Sequence, residues 1–414
     1  MHQNPGGLSA AEIHTERKEQ QRRRRNSLLL VVPILLFLFF AFVAPISSML
    51  HRSIYNPTLV ELIPDTVNAL SSWDRTGTPK PETLRTFSIE LQQLAKQRES
   101  GRLASAVNRS YPGATSLINA TARKLRNVDP NQLAQTGHLA LLDTDPRWSE
   151  TKLWQAIDRL GAKYRVDNYL TALDLERDAQ GNIQKRQSSN IYIDLYSKTL
   201  SMSLIITLLC IALGYPVAYC LAHAPARVAG VLLVMVLLPF WTSFLVRTTA
   251  WIALLQTNGV INTLLQSVGI IHQPLELLYT PLATILAMTH ILLPFMILPL
   301  YSVMKGIDPS HVKAALSLGS PPFSAFVRVY LPQTVPGLSA GSLLVFITAV
   351  GYYIIPALVG GTDGQMISNI IAYHMQQSNN WGLASALGSL LLAVIVILYW
   401  LYDRLVGASN LKLS

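Results

Sequence analysis

Six runs of roughly twenty apolar residues dominate this chain, and they match the length a helix needs to cross a hydrocarbon core about 30 Å thick. They cover approximately residues 27–49, 200–222, 229–252, 281–302, 336–358 and 383–405. Lipid cannot hydrogen-bond a bare amide or carbonyl, so each run predicts a helix. The expected fold is an all-α polytopic membrane protein with six transmembrane helices. A cleaved signal peptide is the alternative for the first run. Cleavage after Ala44 would put bulky Phe42 at a small-residue position and Pro45 just beyond the cut, so an uncleaved anchor is expected.

Charge divides the chain further. Only 14% of its 414 residues are charged, against roughly 25% in soluble domains. Residues 52–196 hold 19 of the 33 Lys and Arg and 16 of the 23 Asp and Glu, whereas seven Lys or Arg follow residue 198. A nearly balanced insert therefore interrupts a membrane body. The net charge of +10 does not point to nucleic acid, because six of the cations precede residue 26, beside an apolar span. Cys210 and Cys220 share one apolar run and indicate neither a disulfide framework nor a metal site.

Short-loop cations set the orientation. Gln21–Arg25, QRRRR, precedes the first span, and the segments 253–280 and 359–382 contain no Lys or Arg. Arg227, Lys305, Lys313, Arg328, Arg404 and Lys412 fall on the opposite side. This predicts cytosolic termini, with a tail at 1–26, a second tail at 406–414, and an extracytoplasmic insert at 52–196. Helical periodicity at 82–97 and 149–164 predicts a small, mostly helical domain in the insert; Leu153, Ala156, Ile157, Leu160 and Tyr164 share one face.

Between the fourth and fifth spans lies HVKAALSLGSPPFSAFVRVYLP, residues 311–332. It predicts two short helices, stopped at Gly319 by a left-handed residue, restarted by the prolines that follow, and ended at Leu331-Pro332. An amphipathic connector lying on the lipid surface is the simplest account of it. The spacing also resembles a motif of permease subunits of binding-protein-dependent ABC importers: E-A-A, three residues, G, nine residues, I-x-L-P. Here Lys313, Ala314 and Ala315 lead to Gly319, with Leu318 before it, and Val329, Leu331 and Pro332 close the motif. Lys313 stands where the family has Glu, so no salt bridge from that position carries over. LPFWTSFLVRTTAW (238–251), LGYPVAYCLA, LLPFMILPLYSVMKGID, GYYIIPALVGG and NNWGLASAL resemble spermidine/putrescine-type permeases. That resemblance covers 197–405, the type I permease core, and makes about 57–165 an insertion.

The resemblance implies a coupling hairpin at 311–332 that docks on an ATPase subunit dimer, a second permease subunit, expected to be a different chain, and a periplasmic substrate-binding protein. It implies a bacterial inner membrane location and polyamines or related small amines as cargo. ATP and Mg would belong to the ATPase; this chain has no Walker-type loop and no catalytic or metal-ligand cluster between 199 and 405. Trp241, Thr242, Ser243, Arg247 and His290 are candidates for a translocation path. Each also has a structural reading: hydroxyls satisfying backbone near Pro239, an Arg snorkelling to the interface, a neutral His bonded between helices. A secondary transporter or channel is the alternative function; it would need intramembrane ionisable groups to couple ions, and Arg247 and His290 are thin material for that. A membrane sensor would need a cytosolic signalling domain that the sequence does not contain.

Overall fold

A computed structural model describes residues 31–177, 182–186 and 190–410, with side chains through 404. The basic tail and the start of the first span, residues 178–181 and 187–189, and the last four residues lie outside the described residues. The chain divides after Arg165 into two compact units.

The first unit opens with α1, Val31–Ile54, which carries a π-helical turn at Phe39–Val43. Pro45 explains the turn. Ala44 N–H bonds to Phe39 five residues back, which relieves the crowding a proline ring imposes on the carbonyl four residues before it. Seven helices follow: α2 Thr58–Leu62, α3 Pro64–Leu70, α4 Pro81–Gln97, α5 Ser100–Asn108, α6 Ala114–Leu125, α7 Pro130–Leu142 and α8 Thr151–Gly161. Their core is built around Phe87, Trp148 and Trp154, with ring centroids 5.1–5.8 Å apart. Both indole N–H groups are satisfied inside it. Trp154 Nε1 donates to Trp148 O at 2.7 Å and Trp148 Nε1 to Thr121 Oγ1 at 3.0 Å. Leu153, Ala156, Ile157 and Leu160 are buried as the periodicity predicts. Tyr164 is not: it lies beyond the helix, 64% exposed, paired with Tyr55.

The second unit begins with α9, Asp167–Ala172, and a hairpin of β1, Leu175–Arg177, and β2, Ile183–Lys185. The helical reading of the insert did not anticipate these strands. Buried Asp174, at φ +56°, follows α9. Its carboxylate accepts the amides of Ile191, Tyr192 and Ile193 at 2.8–3.3 Å. Those are orphan donors at the start of α10, Tyr192–His223.

Helix α10 packs with α14, Pro281–Lys305, and α16, Pro322–Gly351. Small residues permit close approach of these helices. A Cβ on Gly337 would meet Pro299 O at 2.9 Å, and one on Gly341 would meet Met296 Sδ at 2.9 Å. Between α10 and α14 run α11, Ala226–Trp241, α12, Phe244–Leu255, and α13, Val260–Ser267. The apolar run 229–252 predicts one rod, but the chain turns by 95° between Trp241 and Phe244. Thr242 and Ser243 are extended there. The hairpin helix α15, Pro309–Ser317, precedes α16. Short α17, Ile354–Val359, and α18, Ile367–Gln376, lead to α19, Trp381–Asn410. The fifth span therefore ends at Gly351, before the predicted 358. Among the described residues five helices are long and apolar enough to cross a membrane, or six if the bent pair is one span.

Candidate functional site

Asp308 starts the hairpin. Its carboxylate accepts Ser310 N–H at 2.8 Å as the N-cap of α15. The Ser310 amide and hydroxyl, then the nearby charges of His311 and Lys313, hold the Asp308 carboxyl below its ordinary value. Gly319 stops α15 at φ +87°. Ser320 N–H donates to Ala315 O and Gly319 N–H to Leu316 O, both at 3.0 Å. This 6→1 and 5→2 pair closes the helix end without outside help.

The second arm differs from expectation. It does not end at Leu331-Pro332 but forms the first turns of α16, which runs unbroken to Gly351. A second π-turn, Phe326–Tyr330, makes this possible: Leu331 N–H bonds to Phe326 O, as occurs ahead of Pro45. The hairpin's second arm and a membrane-length helix are one continuous helix.

None of the residues of α15 is buried. Leu318 is 89% and Phe323 80% exposed, and Leu316 and Val327 are also open. Lys313 and Ala314 are exposed, Ala315 and Val329 half-buried. His311, also exposed, has Nδ1 3.1 Å from Gln333 Oε1, while on the inward side Phe326 packs on the core and Tyr330 is buried. The motif therefore separates into an outward apolar tip and an inward aromatic root.

The other candidates gather around the broken span. Trp241, 76% exposed, ends α11. Thr242 Oγ1 donates to Pro239 O at 2.8 Å, the backbone role foreseen for it. Ser243 is the N-cap of α12 without a side-chain cap bond. Trp251 Nε1 donates to His290 Nδ1 at 3.2 Å, joining α12 to α14. An accepting Nδ1 carries no proton. Arg247 lies one turn from Trp251 on α12, and Phe244, at the start of that helix, has its ring centroid 6.1 Å from that of Tyr352. Among the described residues the buried Nε of Arg247 has no hydrogen-bond partner. Trp251 and Tyr352 were not singled out in the sequence, because an aromatic in an apolar run carries no signal of its own. Glu276 and Asp363 are exposed loop residues. No group of three His, Cys, Asp or Glu among the described residues is placed to hold a metal.

Residues 210–408 match the family described as binding-protein-dependent transport system inner membrane component. The chain is 33% identical over 247 residues to the spermidine/putrescine transport system permease protein PotB of Escherichia coli K12, covering 59% of this chain and 84% of that one. It is 36% identical over 226 residues to PotB of Haemophilus influenzae, covering 53% and 79%. The chain belongs to the binding-protein-dependent transport system inner membrane component family. It is a multi-pass membrane permease that works with an ATPase and a substrate-binding protein, and it has no ATP-hydrolysing site of its own. A secondary transporter, channel or sensor is thereby set aside. A structure of a bacterial ABC transporter importing alginate is also similar, at TM-score 0.47 and 17% identity, covering 53% of this chain and 80% of that one. The family match lies wholly within the second unit.

Proposed function

We propose that this permease imports polyamines, putrescine or spermidine, or closely related small amines, by alternating access. The observation that carries the substrate is 33% identity sustained over 84% of a spermidine/putrescine permease. Stripping water from a polycation is prohibitive, so such a cargo needs a protein path.

Residues 311–332 are the ATPase-docking hairpin in this reading. The exposed Leu318 and Phe323 support it, since apolar anchors at the centre of a contact carry most of its energy. Lys313, Ala314, Ala315, Leu318 and Gly319 form the docking arm; Val329, Leu331 and Pro332 join it to α16. The Lys- and Arg-free segments 253–280 and 359–382 support cytosolic termini, a cytosolic hairpin and a periplasmic insert. A helix broken inside an apolar run exposes backbone that lipid cannot satisfy. The Trp241–Ser243 break, with Arg247 and His290 nearby, therefore belongs against a second permease, most simply a different chain, or beside the path between them. ATP and Mg are bound by the ATPase, and this chain holds no cofactor.

Vesicles containing this chain with its ATPase, second permease and binding protein test the proposal. ATP-dependent uptake of labelled putrescine or spermidine is expected, and Gly319→Asp abolishes it in an assembled complex. Uptake that persists without the ATPase overturns the coupling. ATP-dependent uptake of other solutes only overturns the substrate.

A further inference from the structure

The root of the hairpin is aromatic to a degree that docking does not explain. Phe326 and Tyr330 lie one turn apart on the π-turn, with rings stacked at 5.6 Å and 22°. They meet the last turns of α10. Tyr219 contacts Phe326 at 5.9 Å and Tyr330 at 5.4 Å, both edge-on. His223 lies 5.5 Å from Tyr330 and 4.1 Å from Tyr219, with Nδ1 2.9 Å from Tyr219 O. Tyr215 adds an edge contact to Phe326 at 6.3 Å, and its hydroxyl lies 3.3 Å from Thr334 Oγ1 on α16.

Rings at these separations resist sliding, because offset and edge-on pairs lose attraction when displaced. The hairpin's second arm is the start of α16, so the rest of α16 follows it without any further device. Helix α10 is a separate element, and this cluster is where it meets the hairpin. Tyr330 is buried, yet its hydroxyl has no hydrogen-bond partner among the described residues. The ring, not the hydroxyl, is what this position uses.

We propose that Tyr219, His223, Phe326 and Tyr330 form an aromatic clutch that carries displacement of the hairpin into α10. These are positioning residues; none touches cargo or nucleotide. The inference rests on reading 311–332 as the ATPase-docking hairpin.

The test uses the full complex in vesicles with putrescine and spermidine as probes, and reads uptake and ATP hydrolysis separately. Phe326→Ala with Tyr330→Ala is expected to keep hydrolysis within about twofold and to lower uptake per ATP about tenfold. Tyr330→Phe is expected to match the unaltered chain in both. Uptake per ATP within twofold in the double variant overturns the clutch, and so does a Tyr330→Phe defect as large as that of Ala. If the double variant does not assemble, Phe326→Leu, which keeps bulk at the root, is expected to lower uptake per ATP about threefold; no change overturns the proposal.

A second readout is independent of substrate. Spin labels at Ser201 and Ser317, in a Cys220→Ser background with Cys210 buried, measure the separation of α10 from the hairpin through the ATP cycle. In the unaltered clutch this changes by less than about 2 Å, and in the double variant by more, up to the length of a helix turn. A large change in both overturns the clutch. Absence of any polyamine uptake, with the separation still held constant, would sink the substrate reading alone. A complex in which Gly319→Asp leaves ATP-driven uptake intact would sink the hairpin reading, and the clutch with it.

Discussion

At φ +87° Gly319 occupies backbone space that costs a side chain about 1–2 kcal/mol, while nothing lies within 4 Å of where its Cβ would be. The penalty for an uncharged substitution is therefore conformational and not steric, whereas Asp also places a charge beside the exposed apolar Leu318. Asn, which tolerates the left-handed region, is expected to retain at least half of transport, and Val to lose most of it. Uptake assays on the two variants check this; equal loss in both would mean that glycine is needed for contact with the ATPase. Asp174 offers a second residue-scale test. Its carboxylate satisfies three amides at the start of α10. Asp174→Ala should destabilise the chain by about 1–3 kcal/mol, read as a fall in Tm in detergent.

Glu90 behaves differently. Its buried carboxylate accepts Asp65 N–H at 2.9 Å, Thr66 N–H at 3.0 Å and the Thr66 hydroxyl. Desolvation nevertheless raises its pKa above the ordinary value of 4.5, the hydrogen bonds from Thr66 and Asp65 offsetting only part. A raised carboxyl binds its proton more tightly in the folded unit. Its contribution is thus fully present below 4.5 and is lost as pH rises through the folded value. The stability difference between the unaltered chain and Glu90→Gln should shrink from pH 4 toward pH 7. Fluorescence of Trp148 and Trp154, at the centre of that core, reports it.

Elements in the second unit are held by backbone proximity. Gly337 faces a carbonyl, Pro299 O, whereas Gly341 faces the flexible end of Met296 as its first neighbour. A side chain can move aside, but a helix backbone cannot. Gly337→Ala should therefore cost about 1–3 kcal/mol and Gly341→Ala less, compared by Tm of the purified permease; the reverse order would contradict the packing. The two π-turns belong to the same scale. Each precedes a proline by two residues and keeps a long helix continuous where a break would otherwise fall. In α16 that continuity makes the hairpin's second arm the first turns of a membrane-length helix.

At the scale of the molecule the insert has adjacent ends. Tyr55 bridges Tyr164, Asn56 N–H donates to Lys163 O at 2.9 Å, and Arg165 N–H to Ile54 O at 2.8 Å. A domain that enters and leaves at one point can be removed without stretching the chain. Residues 56–164 expressed alone are expected to unfold cooperatively. The chain with 57–163 replaced by a short Gly-Ser link is expected to assemble with its partners and keep ATP-dependent uptake. Loss of assembly on co-purification would assign the insert a part in building the complex.

The sequence by itself determined the helical membrane class, the charged insert, the amphipathic faces of α4 and α8, and the hairpin stop at Gly319. Hydropathy, period and a left-handed turn are local properties, so they are legible one residue at a time. Tertiary structure alone decided that the third apolar run bends by 95° at Thr242–Ser243, because hydropathy averages over a window and is blind to direction. Only packing set Trp251 of α12 against His290 of α14, and Phe244 against Tyr352 just beyond α16. Tyr164 left its predicted face because helix α8 stops at Gly161, three residues before it. The continuity of the hairpin with α16 also lay beyond the sequence. Proline reads as a stop, and only the five-residue turn ahead of Pro332 shows how the helix passes it.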